Sequence, residues 1–333
     1  MLEFLHDRKD FGDLLAVVAD ERSLDPTLVE KDYWIMHCLW GLRTQGFNFE
    51  LKGGTSLSKG FGVIHRFSED IDIRIEPPKD LAVKIGRNQD KAAHVASRRA
   101  FYDWLTAEIK IPGIVQVARD EDFDDEKMRS GGIRLSYAAR TAPLAGVKDG
   151  ILLELGFDDT APNRPVTISS WAWDTASARG ISVADNRAVD VPCYAPTHTF
   201  VEKLQTISTK YRKLGEAQAF PANFLRHYYD VYCLLQLDEV HREPQAAVAA
   251  THLLDVAVES IEVHGVLQAQ PTMRRMWEGG VARIAVMGLG GRCQYSQCIA
   301  KAWCLSALMR AIQRDRKIPA PAQAANANLV PDR

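Results

Sequence analysis

The chain has 333 residues and a formal net charge of −2, so it can hold two domains and a sizeable core, and as a whole it is not a polyanion-binding body. Nucleic-acid contact would have to come from a local basic patch. The opening stretch MLEFLHDRKD lacks the apolar core of a secretory signal, and no apolar run approaches the roughly 18 residues of a membrane helix, so a cytoplasmic protein without a membrane segment is expected.

In chain order, DFGDLLAVVADERSL has apolar residues at helical spacing, and DPTLVEKDYWIMHCLWGL follows with Asp25 as N-cap and Pro26 in the first turn. FELKGG reads as a short strand ending in a glycine turn. TSLSKGFGVI reads as a helix capped by Thr55 or Ser56, and DIDIRI as a strand of alternating polar and β-branched residues. Residues 80–110 hold a long basic and apolar helix, whose Lys84, Arg87, Lys91, Arg98 and Arg99 form either a substrate-binding face or a solvated one. RDEDFDDE reads as a solvated acidic loop. GGIRLSYAA and GILLELGF, joined by a loop over residues 140–149, predict an antiparallel hairpin. VTISS and AVDVPCYAP are strand- and loop-like. From about residue 195 the chain turns helical, through THTFVEKLQTISTKYRKL, NFLRHYYDVYCLLQL and two further helices at 244–261 and 294–312. An Ala/Pro/Asn-rich tail at 319–333 is expected to be disordered. Cys293, Cys298 and Cys304 fit no zinc spacing and read as buried reduced thiols.

The stretch LKGGTSLSKGFGVIHRFSEDIDIRI, at residues 51–75, carries the chemistry. On a strand, Asp70 and Asp72 point the same way while Ile71 and Ile73 point into the core. Two adjacent carboxylates repel each other unless they hold a divalent cation, and carboxylate and phosphate oxygens are the ligands that Mg²⁺ prefers. Arg74 shares their face, to meet a phosphate or to pair with an aspartate. Gly53 and Gly54 let backbone N–H groups approach phosphate oxygens without a Cβ in the way. The spacing is not that of a Walker loop. A solvent-facing edge strand is the plain alternative for the aspartates. Glu154 alternates with Leu153 and Leu155 on a central-looking strand, so it is either a third metal carboxylate or an edge-strand acid.

The order of strand, Gly-Gly, hydroxyl-capped helix and Asp-x-Asp strand resembles polymerase-β-like nucleotidyltransferases. More closely, GGTSLSK and RFSEDID resemble the first two motifs of the AbiEii/AbiGii toxin family, VEKDYWI its N-terminal helical segment, EKLQTI its third motif and RHYYDVYCLL its fourth. The resemblance spans roughly residues 25–235. It implies an α+β fold: a polymerase-β-like core, a mixed sheet flanked by helices, in residues 1–195, then a helical C-terminal domain at 196–318 contributing Lys203 and Asp230 to the site. It also implies that Gly53, Gly54, Thr55 and Ser56 hold nucleotide phosphates, with Lys59 facing phosphate and Arg226 meeting the nucleotide or orienting Asp230. Asp70, Asp72 and Glu154 would hold Mg²⁺ or Mn²⁺, Lys203 the triphosphate, and Asp230 would position Lys203 or the acceptor. Ser68 stands where some members are phosphorylated and silenced.

The activity so implied is NMP transfer from an NTP to a hydroxyl, with the tRNA 3′ end as acceptor, by the toxin of a toxin–antitoxin or phage-defence pair with a cognate antitoxin. Rival readings are a protein or small-molecule acceptor, a γ-phosphate kinase, and an inactive nucleotide-binding module. Lys210, Arg212 and Lys213 form a basic edge for RNA or a solvated face. Structural pairing is expected of Glu30, Lys31 and Asp32, with Lys31 at a phosphate as the alternative.

Overall fold

The computed structural model describes residues 2–213 and 225–242. They fall into two compact units, one built from the residues up to Gly62 together with Arg66–Ala195, the other from Val63–His65 and the described residues from Pro196 onward.

At the centre of the first unit lies helix α2, Pro26–Thr44, preceded by α1, Phe11–Arg22. Asp25 caps α2 by accepting from the Thr27 N–H at 2.8 Å, and Pro26 occupies the first turn, where its missing N–H costs nothing. Every residue from Val29 to Leu39 is buried, charged ones included. A helix buried all round must sit inside the fold, and α2 packs against strands of the sheet, α1 and α5 (Trp171–Ala178).

The sheet has seven strands: β1 Phe49–Lys52, β2 Asp70–Ile75, β3 Ile114–Asp120, β4 Ser130–Tyr137, β5 Ile151–Gly156, β6 Asn163–Ile168 and β7 Ala188–Tyr194. Their order is β3-β4-β5-β2-β1-β7-β6. The sheet is mixed, because β2 with β5 and β1 with β7 run parallel and the other pairs antiparallel. The period-2 alternation sorts its faces. Ile71, Ile73, Ile75, Leu153 and Leu155 join Phe49 and Leu51 in the core, which leaves Asp70, Asp72 and Glu154 on the opposite face.

Several elements depart from the sequence reading. RDEDFDDE is not simply a solvated loop. Its first two residues end β3, Arg134 binds Asp120, and Arg119 clamps Asp124 at 2.6 and 2.7 Å and Asp103 at 2.8 Å. The helix α5 goes unannounced in the sequence; Ser170 caps it by accepting from the Trp173 N–H at 3.1 Å. The long basic helix is α4, Ala92–Glu108, and its Arg98 is wholly buried, donating to the carbonyls of Lys84, Gln89 and Lys127. Arg98 therefore fastens two loops and faces no substrate. The β4–β5 antiparallel pair forms as expected.

In the second unit, α6 (Pro196–Lys213), α7 (Leu225–Leu234) and α8 (Asp238–Arg242) pack around Phe200, Leu204, Ile207, Val231 and Leu234. The His65 N–H donates to the Tyr229 hydroxyl at 3.1 Å. The helices expected at 244–261 and 294–312, the three C-terminal cysteines and the tail at 319–333 lie outside the described residues. Among those described, no helix is long and apolar enough to cross a membrane, and Cys38, Cys193 and Cys233 are buried thiols outside any disulfide.

Candidate active site

The Gly-Gly turn is built against the aspartate strand. Gly53 has φ +71°, and a Cβ there would come within 2.0 Å of Asp72 Oδ2. Only glycine satisfies both the left-handed backbone and the close carboxylate. A Cβ on Gly54 would meet Ser68 Oγ at 2.5 Å and Arg66 Nη2 at 3.0 Å. Ser68 therefore faces the backbone of the turn directly.

A short helical segment, α3, begins at Gly53 rather than at a hydroxyl cap, and continues through Gly60 as a wider π turn. Thr55 and Ser56 lie inside it, fully buried. The Thr55 hydroxyl donates to the Asp70 carbonyl, and Ser56 Oγ reaches the Tyr194 carbonyl at 3.5 Å. These hydroxyls fasten the turn to β2 and β7, so capping is not their role.

The acids converge through strand pairing. Asp72 stands opposite Lys52 of β1 on one side and Glu154 of β5 on the other. Glu154 in turn faces Gly132 of β4, where a Cβ would strike the Asp120 carbonyl at 2.5 Å and Phe123 Cβ at 2.9 Å. Glu154 is thus on an interior strand. Burial, then the Asp72 charge and a hydrogen bond with Asp72, push its carboxyl up to about 8. Burial also raises Asp70, whose Oδ1 is buried without a hydrogen-bond partner. Three carboxylates that cannot comfortably ionise together, one with an orphaned oxygen, fit a hard divalent cation. No three acidic, histidine or cysteine side chains among the described residues stand in ready-made ligand geometry. Asp72 and Glu154 share a hydrogen bond.

Arg74 pairs with glutamates rather than with an aspartate: its guanidinium binds Glu76 at 2.6 Å and lies 3.9 Å from Glu50. Lys59 binds the buried Asp32 at 2.7 Å and lies over the Trp171 ring at 5.4 Å. Asp32 also accepts from the Trp171 N–H at 2.8 Å. Glu30 accepts from the N–H groups of Arg140 and Thr141 at 2.8 and 3.0 Å. Lys31 donates to Glu69 at 3.0 Å and to the Lys148 carbonyl at 2.5 Å. All three α2 charges are therefore structural pairs.

One cation near the acids has no motif to announce it. Lys148, in the loop between β4 and β5, brings its ammonium to 3.8 Å from Asp70 Oδ2. Only the parallel pairing of β2 with β5, invisible in local sequence, carries that loop to the aspartates.

In the second unit, Lys203 on α6 reaches Asp230 on α7 at 3.2 Å, with Asp230 fully buried. His227 is also buried, and burial together with the Lys203 charge pushes it down to about 3. Its Nε2 lies 3.1 Å from Lys210 Nζ. Arg226 is exposed.

A mixed sheet bearing acids on neighbouring parallel strands, behind a glycine turn that one acid touches, is the arrangement of a nucleotidyltransferase. The chain matches the family described as nucleotidyl transferase AbiEii toxin of type IV toxin–antitoxin systems over residues 38–286 and belongs to that family. It is therefore a nucleotidyltransferase toxin of a toxin–antitoxin system, with an NTP substrate and a cognate antitoxin. The match begins within α2, after Glu30, Lys31 and Asp32. No curated protein matches the chain.

Proposed function

We propose that the protein transfers NMP from an NTP to the 3′ end of tRNA, with Mg²⁺ or Mn²⁺ held by Asp70, Asp72 and Glu154. The observation that carries this reading is the set of three acids on paired strands β2 and β5, one with an orphaned buried oxygen, beside a glycine whose Cβ position Asp72 occupies. The bound metal would supply Lewis acidity at the α-phosphate and lower the pKa of the acceptor hydroxyl.

The chain's own part is positioning and electrostatics, which dominate phosphoryl-type transfer. Gly53 and Gly54 admit phosphate oxygens to the backbone. Thr55 and Ser56 hold that turn against β2 and β7, so the cradle and the acids keep a fixed spacing. Glu154 would hold the cation as a carboxylate, releasing its proton on binding. Lys203 is the triphosphate contact implied by the family's third motif, and its bond to Asp230 supports a positioning role for that acid. Ser68 faces the backbone of Gly54, so a phosphoryl group there would set a dianion against the cradle and compete with the nucleotide. Arg226 would meet the nucleotide or the acceptor from α7.

Incubation with Mg²⁺, total tRNA and NTPs labelled at the α or the γ position tests the reading. Label from the α position on tRNA is expected. Label from the γ position alone means a kinase, and no label despite NTP binding means a binding module. Either result overturns the proposal.

A further inference from the structure

We propose that Lys148 is a further catalytic residue, a cation that the fold holds beside the acids to receive the polyphosphate of the incoming nucleotide. The inference rests on the reading of Asp70, Asp72 and Glu154 as the nucleotide's metal site.

The loop between β4 and β5 is strapped down at both ends. The Glu30 carboxylate takes the N–H groups of Arg140 and Thr141, and Thr27 Oγ1 donates to the Ala142 carbonyl at 2.8 Å. At the far end, the Lys148 N–H donates to Glu69 at 3.2 Å, the Lys148 carbonyl accepts from Lys31, and the Asp149 carbonyl accepts from Arg134 at 2.8 Å. Glu69 directly precedes Asp70. Lys31 and Glu69 thus tie the backbone of Lys148 to the first residue of β2.

The Lys148 side chain remains 45 % exposed, near Asp70 Oδ2 and 4.9 Å from the centre of the Phe123 ring. An ammonium has three donors, so it can face Asp70 and still offer protons outward. Lys59 and Lys31, by contrast, have their charges bound to Asp32 and Glu69. A cation on the carboxylates would weaken the attraction of Asp70 for Lys148 and leave the ammonium available to a nucleotide phosphate. A bare counter-ion would not need its backbone fixed from both sides by buried or half-buried charges.

Because the strap runs through the main chain, removing the Lys148 side chain leaves it in place. Binding of α,β-methylene ribonucleoside triphosphates to the full chain with Mg²⁺ gives a readout independent of turnover. Lys148→Ala should weaken the tightest of the four by about tenfold, and Lys148→Arg should recover most of it. Lys127→Ala, which removes an exposed lysine paired with Asp90, should change nothing. Mn²⁺ binding followed by electron paramagnetic resonance should be undiminished or tighter in Lys148→Ala. Unchanged nucleotide binding in Lys148→Ala would mean a counter-ion only and overturns the proposal. If the wild type binds nucleotide and Asp72→Asn abolishes transfer, that failure belongs to Lys148 alone. If the wild type binds no triphosphate, the metal-site reading falls and this inference with it.

Discussion

Two charge clusters lie within the first unit, one on α2 and one across β2 and β5, and they are built on opposite rules. Glu30, Lys31 and Asp32 are buried, and each is bound to two partners or more. Asp70, Asp72 and Glu154 are only half-buried, share one sign, and leave Asp70 Oδ1 without a partner. Desolvation raises the pKa of both Asp32 and Asp70, yet Asp32 has Lys59 bound at 2.7 Å, whereas Asp70 sets Lys148, at 3.8 Å, against the like charges of Glu69 and Asp72. Satisfied charge holds a fold together. Unsatisfied charge of one sign persists only where a ligand completes it.

The sharpest way to break the contrast is Asp72→Asn. It should reduce nucleotide transfer by roughly a thousandfold or more, while thermal unfolding shows the apo protein unchanged or slightly more stable because a repulsion is gone. Substantial residual transfer would remove Asp72 from the metal site. Next comes Asp32→Ala, which strands Lys59 and the Trp171 N–H. A loss of about 3–5 kcal/mol in urea unfolding is expected, and a loss under 1 kcal/mol would show that the α2 pairs are ornamental.

His37, also on α2, extends the contrast to pH. Burial lowers it from 6.5 to about 4, and it is held between the Pro112 carbonyl and Asn186. A base with a depressed folded pKa stabilises the fold fully above its unfolded value. That contribution, about 3 kcal/mol, fades as pH falls from 6.5 through about 4. Unfolding curves of His37→Gln should be correspondingly flatter over that window; equal slopes would count against it. Glu154→Gln should also disturb stability little. Burial and the neighbouring Asp72 push Glu154 up to about 8 and favour its neutral form, so the amide should shift stability by only about 1 kcal/mol while Mn²⁺ binding and transfer both fall. Wild-type Mn²⁺ affinity in this variant would exclude Glu154 from the ligand set.

What the sequence made legible was whatever is written locally. The glycine turn, the alternation of Asp70 to Ile75 and the acid between Leu153 and Leu155 each need only a few neighbouring residues. Lys59 was harder, because its partner Asp32 comes from another element, and Arg74 divides between Glu76 two residues on and the more distant Glu50 of β1. The end of β3 was obscured by its own acids, which read as solvated until Arg134 and Arg119 are seen to bind them. Lys148 was illegible for the same reason on a larger scale: its place depends on a parallel pairing that no stretch of sequence states. The domain limits and two of the four C-terminal helices remain sequence expectations, and Lys203 with Asp230 rests on family motifs together with their mutual contact.

The anchoring of the β4–β5 loop and of Lys59 by α2 has a genetic consequence. A culture surviving expression of this toxin has been selected for broken copies. Lesions at Glu30, Lys31 or Asp32 should recur among survivors beside those at Asp70 and Asp72, although the α2 charges are bound to protein partners. Such escapees would divide by protein level: scarce product for the α2 class, abundant and inert product for the aspartate class.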